Sequence, residues 1–186
     1  MRLEKKFGPN LAGLLLVAHP AMLDQRFAKS VILVSVDSLD AGTIGVVINN
    51  PLDKTVGDFD KRYEGTPLAK IPVYYGGPIG DKYLILTAWQ WMEKEKVFKL
   101  YFGIPEEKAV ELIENVPGID LRAYAGYSGW NHWELESELQ RRAWLLSSIK
   151  NLTPGHPKAN LWRQMISAVE PGLLFLADRP KDPASN

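Results

Sequence analysis

Three short apolar stretches stand near the start of the chain, Leu11–Ala18, Ser30–Val36 and Thr43–Asn49, each bounded by turn or breaker residues. Runs this short, rich in Val, Ile and Leu, read as buried strands. His19-Pro20 ends the first, because proline cannot donate to a ladder. Asp37 to Gly42 is turn chemistry, so the second and third stretches are expected to form a hairpin closed by Asn50-Pro51. A chain that begins with consecutive strands and only later alternates them with helices points to an α+β domain with a mixed sheet, not a regular doubly wound fold.

The later elements follow from local pattern. Val56–Tyr63 is expected to be a short helix capped by Thr55, with Asp58 three residues on. Pro72–Tyr75 is a short strand running into Gly76-Gly77-Pro78, and Tyr83–Thr87 and Val97–Phe102 are expected to pair as a hairpin. Trp89-Gln90-Trp91-Met92 between them reads as an exposed loop. Pro105–Asn115 is a helix with proline in its first turn and Ala109, Leu112, Ile113 and Val116 on one face. Asp120–Tyr127 alternates: Leu121, Ala123 and Ala125 on one side, Arg122, Tyr124 and Gly126 on the other, which is a strand. Asn131–Arg142 is a helix with a capping-box pattern at Asn131 and Glu134, Ala143–Ile149 a strand, and Pro157–Val169 a last helix. The 186 residues are enough for one domain spanning the whole chain, with 1–10 and 180–186 as loose tails.

Composition narrows the chemistry. There is no cysteine, which excludes disulfides, thiolate catalysis and cysteine–zinc sites. Lys plus Arg equals Asp plus Glu, 22 each, which argues against sequence-specific nucleic-acid binding. The apolar run Leu11–Ala18 is too short for a bilayer, which needs ~20 residues, and lacks a secretory cleavage pattern. A cytoplasmic protein without a membrane partner is expected. Three scattered histidines, His19, His132 and His156, and the turn aspartates Asp24, Asp37 and Asp40 make no metal pattern, so no metal or other cofactor is expected. Glu134 and Glu138, four apart on a helix, read as solvated.

Several motifs remain. Gly76-Gly77-Pro78 lacks the lysine and Ser/Thr of a phosphate-binding loop and reads as a turn where two backbones approach. Gly126-Tyr127-Ser128-Gly129 is one residue short of a nucleophile elbow, so Ser128 is read with Asn131 as a helix-capping candidate rather than a nucleophile. Asn49-Asn50 either lines a cleft or satisfies loop groups after the strand. The six tryptophans belong mostly in the core, with Trp89 and Trp91 as a contact surface if exposed.

Four stretches carry a family resemblance: Ala18-His19-Pro20-Ala21-Met22-Leu23-Asp24-Gln25-Arg26-Phe27 with Ser30-Val31-Ile32; Gly42 to Pro51; Val73 to Pro78; and Gly126 to Trp130 with Leu135–Leu139 and Trp144-Leu145. Leu161-Trp162-Arg163 adds to them. In this order and spacing the chain resembles the AlgH/YqgE-like family of bacterial proteins. The resemblance implies an α+β fold with a bent or bifurcated sheet, or one closed into a small barrel, surrounded by helices. It also brings the family's label of transcriptional regulator, without a settled reaction. Asn50 stands where many members carry lysine, and Trp133 and Glu134 stand where glycine and glutamine are common.

Two readings of function remain. The first is a non-catalytic binding or regulatory domain for a protein or small-molecule partner. The second is an enzyme whose polar site assembles from loop ends. In either, the loop-end residues outside the periodic core are expected to line the site: Asn49, Asn50, Gly76, Gly77, Tyr127, Gly129 and Trp130. The glycine–aromatic segments at 75–78 and 126–130 are expected at one end of the sheet, around one concave surface.

Overall fold

The computed structural model describes residues 10–38, 40–152, 154 and 160–177. The expected tails apart from Asn10, the start of the last expected helix and His156 lie outside the described residues. The three early apolar stretches become β1 (Leu14–Ala18), β2 (Val31–Ser38) and β3 (Gly42–Val47), each antiparallel to the next. β4 (Pro51–Thr55) then runs into the short helix α1 (Val56–Phe59), which Thr55 and Asp58 close with a reciprocal capping box. Proline, aspartate and lysine in β4 hide it from a propensity reading. Such residues suit an edge strand, and β4 ends the sheet beside β5 (Pro72–Tyr75). The helix expected over Val56–Tyr63 breaks at Asp60, whose side chain instead caps a 3-10 turn at Lys61–Tyr63.

The larger departure is β6 (Ile79–Met92), which swallows the expected Trp89–Met92 loop. It pairs with β7 (Val97–Phe102) from Thr87 to Met92, so the hairpin lies further along than expected. Trp89 is buried and meets Phe98 edge-on, its indole N–H donating to the Thr87 hydroxyl at 3.1 Å. Paired aromatics across a ladder outweigh the loop-like look of that stretch. After α2 (Glu106–Asn115) comes β8 (Asp120–Trp130), then α3 (His132–Gln140), β9 (Trp144–Ser148), α4 (Leu161–Val169) and α5 (Leu174–Ala177).

The sheet has nine strands in the order β4-β5-β8-β3-β2-β1-β9, with β6 and β7 branching from β8. β8 is the fork. Its first half lies between β5, parallel at Val73↔Ala123, and β6, antiparallel at Leu84↔Ala125; its last residues pair with β3 at Thr43↔Trp130. The sheet is mixed and bifurcated, as expected. It stays open: β4 and β9 end the path without pairing with each other, so the barrel alternative is not realised. Alternation along β8 splits the interior in two. Leu121, Ala123 and Ala125 face a core under α2 with Val56, Leu68, Val73 and Leu112. Tyr124 and Trp130 face the larger core with β1, β2, Trp144 and α4.

Candidate functional site

Of the seven residues expected from sequence, Gly76, Gly77, Tyr127 and Gly129 meet at the fork of β8 with the Asn50 backbone bonded beside them, whereas the Asn49 and Trp130 side chains are engaged elsewhere, and the backbone explains why glycine stands at the fork. Gly76 N–H donates to the Ala125 carbonyl at 2.8 Å, and its own carbonyl accepts from Val47 N–H at 2.9 Å and from the Ser128 hydroxyl at 3.3 Å. One residue thus joins β3, β5 and β8. A methyl group on Gly76 would sit 2.2 Å from the Gly126 carbonyl oxygen, and one on Gly77 2.2 Å from the Tyr127 carbonyl carbon. Gly126 has φ +70, a region closed to most side chains, and its own methyl would meet the Gly77 oxygen at 2.5 Å. Two chains therefore cross here with no room for a Cβ.

The inner side of the crossing is packed. Trp130 is 6% exposed, tilted on Phe27 at 6.1 Å and edge-on to Trp144 at 5.9 Å. The indole N–H groups of Trp130 and Trp144 both donate to one Glu138 oxygen, at 2.9 and 2.6 Å. Glu138 is therefore an internal acceptor on α3 and not the solvated residue expected; its spacing from Glu134 gave no hint of two indoles converging on it. Ser128 is fully buried on a strand and caps nothing, because Asn131 caps α3 by accepting from Glu134 N–H at 2.8 Å. Asn49 bridges its neighbours, accepting from Val31 N–H at 2.8 Å and donating to the Lys29 carbonyl at 2.9 Å. Asn50 accepts Tyr75 N–H on its backbone carbonyl and leaves its side chain exposed.

The outer side is open. Past Gly126, Tyr127 is half-buried and packs against the larger core, with the half-buried Gly129 two residues on. Tyr127 pairs in register with Ile79 of β6. Its ring lies within 3.8 Å of where a Cβ on Gly80 would be and 3.6 Å of one on Gly129, so the ring lies against both glycines. Ile79 and Tyr83 flank it, 41% and 77% exposed. Behind this face Tyr75 is half-buried, and burial followed by the charge of Asp81 raises its pKa, with Arg26 opposing.

Two further features stand outside those seven residues. Arg122 lies across the Trp89 ring at 4.6 Å and the Tyr74 ring at 5.7 Å, and pairs with Asp120 at 2.5 Å. Burial by itself would lower its pKa; Tyr124, Asp120 and Tyr74 outweigh that and the net direction is up. The fully buried Tyr124 phenol is likewise raised, by burial. The Arg122/Tyr124 alternation marked this side of β8, but no local signal placed Trp89 against it. The second feature is a groove on the α2 side of the sheet. Its inner lobe, about 330 Å³, is lined by Val56, Leu68, Leu84, Leu86 and Ile104; its outer lobe, about 430 Å³, by Arg62, Thr66, Pro67, Glu107 and Val110. Tyr63 and Glu106 line both lobes, and the Tyr63 hydroxyl donates to the Glu106 carboxylate across the neck. That bond and desolvation raise the Tyr63 pKa. None of the seven sequence-selected residues lines this groove.

Among the described residues no group of three His, Asp or Glu side chains is placed to hold a metal ion, and no helix is long and apolar enough to cross a membrane. Two of the turn aspartates have partners: Asp24 pairs with Arg26, and Asp37 accepts from Leu11 N–H and the Thr43 hydroxyl.

Comparison with known proteins places this arrangement. The chain is 28% identical to a UPF0301 protein of Thermobifida fusca, covering 95% of this chain and 96% of that one. It is 31% identical to a UPF0301 protein of Streptomyces coelicolor, with the same coverage. Among solved structures, a protein of Corynebacterium diphtheriae superposes with a TM-score of 0.65 at 22% identity, over 93% of this chain and 94% of that one. The AlgH protein of Pseudomonas aeruginosa superposes at 0.58 and 21%, over 97% and 100%. These two show a shared fold. A family model described as AlgH-like matches residues 15–173, which takes in the β8 fork and both cores, and the chain belongs to that family.

Proposed function

We propose that the chain is a non-catalytic binding domain of regulatory type, and that a protein partner docks on the outer side of the β8 fork. The observation behind this is the exposure of Ile79 and Tyr83 beside the half-buried Tyr127 ring, which lies against Gly80 and Gly129. Large aromatic and aliphatic side chains held together in water are the usual material of an interface centre. In this reading the seven residues divide their work. Tyr127, Gly129 and Asn50 present the face. Gly76 and Gly77 allow the close crossing that aims it, and Asn49 and Trp130 fix it from within. The reading keeps the cytoplasmic setting expected from the sequence.

The test uses an Ile79→Ser/Tyr83→Ser double variant, which removes exposed apolar surface and leaves the crossing alone. Native chain and variant are compared for capture of a stoichiometric partner from the source cell, and the purified partner is then titrated. A loss of affinity of tenfold or more at unchanged melting supports the face. Equal affinity in the two proteins removes it.

A further inference from the structure

The groove between the Lys61–Lys70 segment and α2 is independent of that face and has the makings of a ligand site. Its two lobes fall in the size range of small-molecule pockets, roughly 300–1,000 Å³, at about 330 and 430 Å³. The floor of the inner lobe is aliphatic: Val56, Leu68, Leu84, Leu86 and Ile104. Polar groups gather at the neck and mouth. There the Tyr63 hydroxyl occupies one oxygen of Glu106, and Glu107 beside it has no partner among the described residues. The cation that lines the outer lobe, Arg62, is held by a two-pronged bond to Asp60, at 2.9 and 2.6 Å to one carboxylate oxygen. The uncompensated charge facing the groove is therefore negative.

We propose that this groove binds a small amphiphile with an aliphatic body and a primary or secondary ammonium head. The body enters the inner lobe and removes its surface from water. The ammonium N–H groups bond to the Glu106 carboxylate, replacing or joining the Tyr63 hydroxyl, and Glu107 adds favourable field at the mouth. A carboxylate head of the same length would meet Glu106 and Glu107 with like charge. An alcohol would form the hydrogen bond without the charge pairing. Glu106 is exposed and Tyr63 partly so, and their contact crosses the neck from a 3-10 turn to the first turn of α2.

Three probes of equal length separate these cases: hexylammonium, hexanol and hexanoate, titrated into labelled protein and followed by amide NMR shifts. Hexylammonium is expected to give saturable shifts at Leu84–Leu86 and Gly103–Glu106, and to bind at least tenfold more tightly than hexanol or hexanoate. Glu106→Gln should remove that preference while melting like the native chain. Tyr63→Phe, which deletes the competing donor, should retain or tighten binding. Three results overturn the proposal: equal binding of all three probes, saturable shifts confined to another surface or absent, or an ammonium preference that survives Glu106→Gln.

Discussion

Replacing Gly76 by alanine should be among the most damaging single-methyl changes in the chain. The added Cβ would stand 2.2 Å from the Gly126 carbonyl oxygen, where ordinary contact begins at 3.4 Å, so the two strands must part by about 1.2 Å. They cannot part freely. Gly76 N–H is bonded to Ala125, Val47 N–H to the Gly76 carbonyl, and the Tyr124 Cβ waits at 3.0 Å on the inner side. Overpacking of this kind costs about 1–3 kcal/mol, and loosening the two backbone bonds adds about 1 kcal/mol each. A total of roughly 3–5 kcal/mol corresponds to a fall in Tm of about 6–20 °C for a chain of this size. Thermal melting and urea unfolding read it directly. Gly172→Ala is the control, because nothing lies within 4 Å of its added methyl and its φ is not positive; it should change stability by less than about 0.5 kcal/mol. Were Gly76→Ala to melt within about 2 °C of the native chain, the β8 fork would have slack and the crossing would not hold the face in place.

Three further outcomes follow from the inner side of the fork and its surroundings. Glu138→Ala leaves the Trp130 and Trp144 indoles without their shared acceptor; a loss of ~2–4 kcal/mol is expected, with Glu138→Gln milder, and identical melting of both variants with native protein would contradict the shared bond. Ser128→Ala removes one buried hydroxyl bond to Gly76 and should cost ~1 kcal/mol, whereas an unchanged unfolding midpoint would mean that the 3.3 Å contact carries no stability. His19 titrates below its ordinary 6.5, first because of burial and then because Arg142 opposes its charge. The folded state thus favours neutral His19, so its stabilisation is full above the unfolded pKa and declines as pH falls toward the lower folded value. An NMR titration placing His19 at or above 6.5 would refute that.

Much of the fold is local enough to be legible in sequence. β1, β2, β3, α2 and the first half of β8 each have an apolar run or a period that names them, and α1 and α3 open with the capping boxes that the spacing of Thr55 with Asp58 and Asn131 with Glu134 suggests. What fails is long-range. β4 has the composition of a loop because it lies on a sheet edge, and Trp89–Met92 becomes strand only because β7 and Phe98 lie opposite. Glu138 becomes an internal acceptor only because Trp130 and Trp144, on two different strands, aim at it. The clustering of the glycine–aromatic segments was legible, since glycines beside aromatics at strand ends imply close backbone approach. Which side of them is filled and which bare was not, because that depends on the positive φ of Gly126, where β8 changes neighbours. The Tyr63–Glu106 groove left no trace in the sequence, its two key residues being separated by 43 positions.

The claim that the outer side of the β8 fork is the docking face is tested most directly by hydrogen–deuterium exchange on the native chain, alone and in complex with its captured partner. The account predicts protection on binding confined to Ile79–Tyr83 and Tyr127–Gly129, with the Leu84–Leu86 and Gly103–Glu106 floor and neck of the groove unchanged. Protection that spares Ile79–Tyr83 and Tyr127–Gly129 and falls on another surface would contradict it.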